Sequence, residues 1–351
     1  MIFKKLIFSA FITGIIFNVC TLVLAIVYII AVENYFKPFD FKHSIKLGTI
    51  LSASNMFDFK NLKDKRTIPR WQAIESKFDF FIPDVALRSD ERGQKSPRVD
   101  DWCRRRANRC WAHRVAYDDS RKKDYRIYTV DDWFFKNSRF LNTSHDAQVR
   151  LLDVFLAGLP GNAEVVLNEP LALFQSNPKN FQLFKDWVII LRRKHPSLKF
   201  KLGLQLHFQW LDTQFLRLSD GVLFSQFADF SKNYDIPWGI LEFSIYDRVW
   251  RRRLQNTYVA GRRTDGLTSS FESLVPDRLR RAIVLHQAYI IHRDVVRSGA
   301  SFIVEWGNFP TIWFSGEIDQ DYRSTFALFD WDGRPLPMWW AVARGMDDGK
   351  K

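Results

Sequence analysis

From residue 46 onward, short apolar runs alternate with stretches whose apolar positions recur at helical spacing. The runs are KLGTILS (46–52), FDFFIPDV (78–85), CWAHRVAYD (110–118), AEVVLNE (163–169), KFKLGLQLHF (199–208), WGILEFSIYD (238–247) and ASFIVEWG (300–307). Each has the length and apolarity of a buried strand. QVRLLDVFLAGL precedes the fourth run as a helix, and FQLFKDWVIILRRKH follows it, with Lys and Arg where they complement the helix dipole. RLRRAIVLHQAYIIHRDVVRSG leads into the last run and stops at Gly299, a C-cap residue. Strands alternating with helices predict an α/β fold with a parallel sheet. Seven such units in about 300 residues predict a (β/α)8 TIM barrel that is one strand short. DYRIYTV (124–130) is the remaining candidate, but its neighbours read as a long loop, so one βα unit is expected to be missing or shortened.

A different pattern occupies the N-terminus. After Lys4 and Lys5, the 27 positions from Leu6 to Val32 hold no charged residue. As a helix this run is roughly 40 Å long, enough to span a bilayer with some tilt. A cleaved signal peptide has an apolar core of about 7 to 15 residues and a small-x-small site. Here the run is longer, and Tyr28, Ile29 and Ile30 offer no such site. The expected organisation is a cytoplasmic tail (1–5), a transmembrane signal anchor (6–32), a linker (33–44), a barrel (45–345) and a polar tail (346–351). Lys4 and Lys5 favour a cytoplasmic N-terminus, with the barrel on the extracytoplasmic side of a single-pass protein. A long cleaved signal peptide is the alternative.

Composition narrows the partners. With 46% hydrophobic and 16% aromatic residues, the chain can fill a large core. A formal charge of +13 points to a polyanion: nucleic acid, anionic lipid or an acidic polysaccharide. No zinc-finger spacing, RNP-like strand or basic helical repeat supports nucleic acid. Cys20 lies in the apolar span, while Cys103 and Cys110 flank RRRANR and either pair, as an exported domain permits, or stay reduced. No His or Cys partners stand at ligand spacing, so no metal is expected, and nothing calls for a nucleotide or redox cofactor.

Two strands carry candidate chemistry. AEVVLNEP finishes on Asn168, Glu169 and Pro170, and WGILEFSIYD runs through Glu242. In a barrel, strand C-termini form the functional face. Two carboxylates held there suit glycoside hydrolysis, in which one donates a proton and the other attacks or stabilises the sugar cation. The competing reading is two glutamates in structural salt bridges.

GLQLHFQW followed by YDIPWGILEFSIYD resembles the corresponding stretch of the family-10 glycoside hydrolases, the xylanase family. RCWAHRVAYDD is similar to that family's third strand, VVLNEP to its Asn-Glu strand, and FIVEWG, HQA and LFDWDGRPLPMWWAV to later segments. The resemblance implies that Glu169 is the acid/base, beside Asn168 on a sugar hydroxyl. It implies that Glu242 is the nucleophile, oriented by His207 and accompanied by Gln205. His113 and Tyr117 would line a subsite, with Tyr117 where the family has Trp, and Trp306 and Trp313 would form a stacking wall. Departures accompany the likeness. Asp84, Val85 and Arg88 stand where the family has a Glu, Asn and Lys cluster, Asp118 replaces a strand-end His, and Ser244 replaces an Asp supporting the histidine.

Spacing raises a further question. His207 follows Glu169 by 38 residues, room for one helix and one strand where the family has two βα units. Either a unit is lost, or VVLNEP is the fifth strand and the acid/base is absent. The preceding helix and the Asn-Glu pair favour the fourth. Arg248, Arg251, Arg252, Arg253, Arg262 and Arg263 follow Glu242 in a loop region, where guanidinium forks suit carboxylate-bearing sugars. The expectation is a membrane-anchored retaining glycosidase acting on a polysaccharide, an acidic exopolysaccharide among the candidates. A polysaccharide-binding scaffold on an impaired hydrolase barrel is the alternative, and a cell-surface adhesion module a third.

Overall fold

Residues 2–42, 45–51, 56, 66–83, 97–106, 108–112, 125–131, 152–176, 179–209, 221–246, 275–305, 327–330 and 332–351 are described by the structure, a computed structural model. Its strands are β1 (Lys46–Leu51), β2 (Phe80–Pro83), β3 (Ile127–Asp131), β4 (Glu164–Pro170), β5 (Lys199–Gln209), β6 (Trp238–Tyr246) and β7 (Phe302–Glu305). They pair in parallel in the order β2-β1-β7-β6-β5-β4-β3. Segment 110–112 joins the two ends of that row. Phe81 N–H donates to Arg109 O (2.7 Å) and Trp111 N–H to Phe81 O (2.9 Å), while Ala112 N–H donates to Ile127 O and Thr129 N–H to Ala112 O, both at 2.7 Å. The segment thus takes the third place, and the sheet closes into a ring of eight.

That closure corrects two expectations. Residues 127–131, read as loop, form β3 in the fourth place. VVLNEP, expected on the fourth strand after the loss of a unit, occupies the fifth place as β4. No place in the ring is missing.

The ring encloses its own apolar filling. Ile50, Phe80, Ile82, Trp111, Val166, Leu241, Phe302 and Val304 point inward and form one cluster. Phe80 stacks on Trp111 at 3.9 Å, and Trp111 meets Phe302 edge-on at 5.2 Å. Gly239 makes room for this plug, since a Cβ there would sit 2.7 Å from the Phe302 ring and 2.3 Å from its carbonyl oxygen. Alternate residues on the same strands, such as Val165, Leu167, Leu204 and Ile240, face outward into the larger core beneath the helices. Burying each such side chain is worth about 1.5–3 kcal/mol.

The outer layer comprises α2 (Pro69–Glu75), α3 (Pro97–Arg104), α4 (Leu171–Ser176), α5 (Lys179–Lys194), α6 (Val222–Tyr234), α7 (Asp277–Arg297) and α8 (Pro337–Asp348), after an N-terminal α1 (Ile2–Tyr35). In α5, Phe181, Phe184, Trp187, Val188 and Leu191 recur at helical spacing and are the buried stripe. α7 ends as expected, with Gly299 at φ +79°. Cys103 and Cys110 are both buried free thiols.

α1 contains a stretch, Ile16–Tyr35, long and apolar enough to cross a membrane. Its last turns lean against the barrel wall. Tyr28 Oη and His286 Nδ1 share a hydrogen bond of 2.9 Å, and Arg278 reaches both oxygens of Glu33 at 2.7 and 2.5 Å. The Tyr35 and Tyr289 hydroxyls both donate to Asp348. Ile29, Val32 and Phe36 are buried in the contact, and Phe39 and Phe41 lie against Trp340 and Trp339. The segment around residue 33, expected as the start of a linker, is therefore helical and held to α7 and α8.

Candidate active site

Polar side chains gather on the inner face above the aromatic plug, at the C-terminal ends of β3 to β6. On β3, Tyr128 and Val130 face the helices, so Thr129 and Asp131 face inward. On β4, Val165 and Leu167 face outward, which turns Val166 and Asn168 inward. Gly203, Gln205 and His207 face inward from β5 between the outward Leu202, Leu204 and Leu206. Gly203 leaves space for its neighbour, because a Cβ there would lie 2.9 Å from Asn168 Oδ1.

β6 breaks the alternation. Leu204 pairs with Ile240, but the next residue, Gln205, pairs with Glu242, so β6 carries an extra residue. The same irregularity appears against β7, where Ile240 pairs with Ile303 and Phe243 with Glu305. Leu241 joins the inner plug while Ile240 and Phe243 lie in the outer core. The bulge thus points two successive side chains, Leu241 and Glu242, into the barrel. In an unbroken strand Glu242 would face the helices.

Once inward, Glu242 is held at both oxygens. Asn168 Nδ2 donates to Oε1 at 3.2 Å, and His207 Nε2 meets Oε2 at 3.1 Å. His207 Nδ1 lies 2.6 Å from Ser244 Oγ. A proton on Nε2 suits the Glu242 carboxylate, and the serine hydroxyl can donate to a neutral imidazole or accept from a charged one. An aspartate in place of Ser244 would favour only the charged form. Asn168 Nδ2 also donates to Asp131 Oδ1, and Thr129 Oγ1 donates to Asp131 Oδ2 at 3.0 Å. Asp131, Asn168, Gln205, Glu242 and Ser244 are all buried, whereas the His207 side chain is 31% exposed and marks the way in from solvent. Among the described residues, Asn168 Oδ1 is buried without a hydrogen-bond partner. A carbonyl oxygen left so beside a carboxylate is an acceptor for an incoming hydroxyl.

The structure brings Asn168, Gln205, His207 and Glu242 together, but not Glu169. Glu169 pairs in register with outward-facing Leu204, one residue on from inward-facing Asn168, and is fully buried on the helix side of β4. Its expected place opposite Glu242 is corrected by strand alternation. Asp84, Arg88, His113, Tyr117, Trp306 and Trp313 lie outside the described residues, as do Asp118 and the arginines from 248 to 263. Sequence reasoning missed Asp131 and Thr129. The signal available was the alternation of Thr129 and Asp131 in IYTVD, hidden once that run was taken as loop. Among the described residues, no group of three or more His, Cys, Asp or Glu side chains could hold a metal ion.

A second histidine–glutamate pair lies behind the site. His292 on α7 bonds Glu305 at 2.6 Å and the Ala288 carbonyl at 2.7 Å, both from buried positions. Its ring stands edge-on to Phe243 at 4.6 Å, against the outward residue of the bulge.

No family model and no curated protein matches the sequence. Solved structures do match the fold. A family-10 endoxylanase retrieved from sugarcane soil metagenome superposes with a TM-score of 0.55 at 11% identity, over 87% of this chain and 97% of its own. The catalytic core of a xylanase A gives 0.50 at 13% identity, over 87% and 98%. Xylanase B from Clostridium stercorarium F9 gives 0.50 at 12% identity, over 85% and 96%. With its ring of eight parallel strands, the chain has the barrel fold of the family-10 glycoside hydrolases.

Proposed function

We propose that this protein is a membrane-tethered glycoside hydrolase that cleaves a polysaccharide with retention of configuration. The observation that carries this reading is the immobilised Glu242: a carboxylate aimed into the barrel by a bulge, fixed at both oxygens by His207 and Asn168. In this account Glu242 attacks the sugar carbon, His207 fixes its orientation, and Asn168 offers its free carbonyl oxygen to a sugar hydroxyl. Gln205, beside Glu242 in register, faces the same sugar. Rigid positioning of this kind lowers the barrier because little reorganisation remains for the reaction.

α1 serves as the membrane anchor, with Lys4 and Lys5 keeping its start in the cytoplasm and the barrel outside. The arginines from 248 to 263 favour a substrate bearing carboxylates, such as an acidic exopolysaccharide met during export.

A polysaccharide-binding role without turnover is the second reading, favoured by one observation: Glu169 is buried on the helix side, away from Glu242. The experiment that separates them incubates the full chain in detergent with xylan, glucuronoxylan and other uronate-containing polymers. Hydrolysis releases new reducing ends, and Glu242→Ala abolishes them while leaving binding intact. Binding without any new reducing ends from the native chain refutes the enzymatic reading.

A further inference from the structure

We infer that Asp131, on β3, is the proton-transferring partner of Glu242; the inference rests on the glycosidase reading above. One amide nitrogen, Asn168 Nδ2, donates to both groups, at 2.5 Å to Asp131 Oδ1 and 3.2 Å to Glu242 Oε1. Those two lengths bound the separation of the oxygens at about 5.7 Å. Retaining glycosidases hold their two carboxyl groups about 5 to 5.5 Å apart. The other described carboxylates near these strand ends face elsewhere. Glu169 lies on the helix side of β4, and Glu305 is engaged by His292 behind β7. Glu164 stands at the opposite end of β4 with Lys201.

The surroundings divide the labour between the pair. Glu242 receives donors at both oxygens, the arrangement of an anion. Asp131 Oδ2 instead faces the Thr129 hydroxyl, which can accept as well as donate. A proton on Asp131 Oδ2 therefore has a partner there.

In the first step the Asp131 proton passes to the glycosidic oxygen as the bond from that oxygen to the sugar carbon breaks. A Glu242 oxygen bonds to the same carbon, forming a glycosyl ester. In the second step water attacks that carbon, gives its proton to Asp131 and displaces Glu242. Both carboxyl groups return to their starting states, and one water is consumed per bond cut.

The test uses the full chain in detergent micelles with 2,4-dinitrophenyl and phenyl β-xylobiosides, cellobiosides and glucuronides. For Asp131→Ala and Asp131→Asn, kcat/KM on the phenyl glycosides falls roughly 10²–10⁴-fold, while the dinitrophenyl glycosides, which need no proton, lose less than about tenfold. Azide restores turnover of the dinitrophenyl substrate by Asp131→Ala and yields a glycosyl azide of retained configuration. Equal losses on both leaving groups without azide product make Asp131 a support for Asn168 and overturn the inference. Undiminished phenyl turnover does the same, as does azide rescue of an alanine variant at the next residue in the chain, Asp132, in its stead. If the native chain turns over none of the glycosides, the parent reading fails and takes this one with it; turnover with an indifferent Asp131 removes only the inference.

Discussion

Glu169 near the end of β4 and Glu242 midway along β6 lie on apolar strands of the same parallel sheet, and both are almost wholly shielded from solvent. β4 is regular, so the residue after inward-facing Asn168 turns toward the helices. β6 carries one extra residue, so the residue after inward-facing Leu241 turns inward as well. A glutamate on these strands acquires chemistry from the local register rather than from its place in the chain. One residue of slip exchanges the two faces of a strand, and here a bulge makes that exchange locally at Glu242.

The largest effect expected from breaking the comparison comes from its two ends. Glu242→Ala lowers kcat/KM by at least about 10⁴-fold, as loss of a nucleophile does. Glu169→Gln keeps turnover within about tenfold of the native chain and lowers stability by about 1–3 kcal/mol, the cost of disturbing a buried polar group. Hydrolysis assays paired with urea unfolding read both. A Glu169→Gln variant that is folded but inert would reverse the assignment.

Next in size is the support behind the bulge. His292→Ala leaves Glu305 buried without the imidazole and removes the ring against Phe243, at a cost of about 3 kcal/mol. Because Phe243 adjoins Glu242, kcat is expected to fall with KM little changed, whereas an equally destabilised core variant such as Phe227→Leu, on the buried face of α6, leaves kcat alone. Parallel urea melts and kinetics distinguish them.

His207→Ala frees one oxygen of Glu242 and is expected to reduce kcat about 10²-fold, the scale of a misplaced reacting group. Ser244→Ala, one hydrogen bond farther out, costs less. A His207→Ala enzyme with native kinetics would detach the imidazole from the chemistry.

How much of this was legible in the chain depends on the element. The apolar runs announced a barrel, and Gln205, His207 and Glu242 were found together through their motif. The direction of Glu169 was not readable, because Val165, Val166 and Leu167 are apolar on both faces, as they must be where plug and helix layer meet the same strand. Nothing in ILEF betrays a bulge, since no glycine or proline marks it. β3 was lost among Arg126, Asp124 and the preceding lysines, and with it Asp131 and the true count of strands. The third-place strand was legible as CWAHRVAYD, and residues 110–112 of it take their place between β2 and β3.

The smallest expected effect lies far from the mouth, where α1 docks. Burial, aided by the Arg293 charge, holds the His286 imidazole below its usual pKa of 6.5. The neutral ring bonded to Tyr28 thus contributes stability above about pH 6.5 that is lost as pH falls through the lowered folded value. The hydrogen-exchange protection factors of residues 28–36, taken against the intrinsic rate at each pH, should fall from pH 7.5 to 5 in the native chain and change less in His286→Gln. A uniform response would place the titration elsewhere and leave the contrast at the mouth untouched.

The central claim, that Glu242 alone of the two glutamates faces the sugar, is tested most directly by trapping. Incubating the full chain with 2,4-dinitrophenyl 2-deoxy-2-fluoro-β-xylobioside and its glucuronide counterpart should accumulate a covalent glycosyl ester. Mass spectrometry of the digested protein is predicted to find one label, on Glu242. A label on Glu169, or turnover of the parent glycosides without any label on Glu242, would contradict the account.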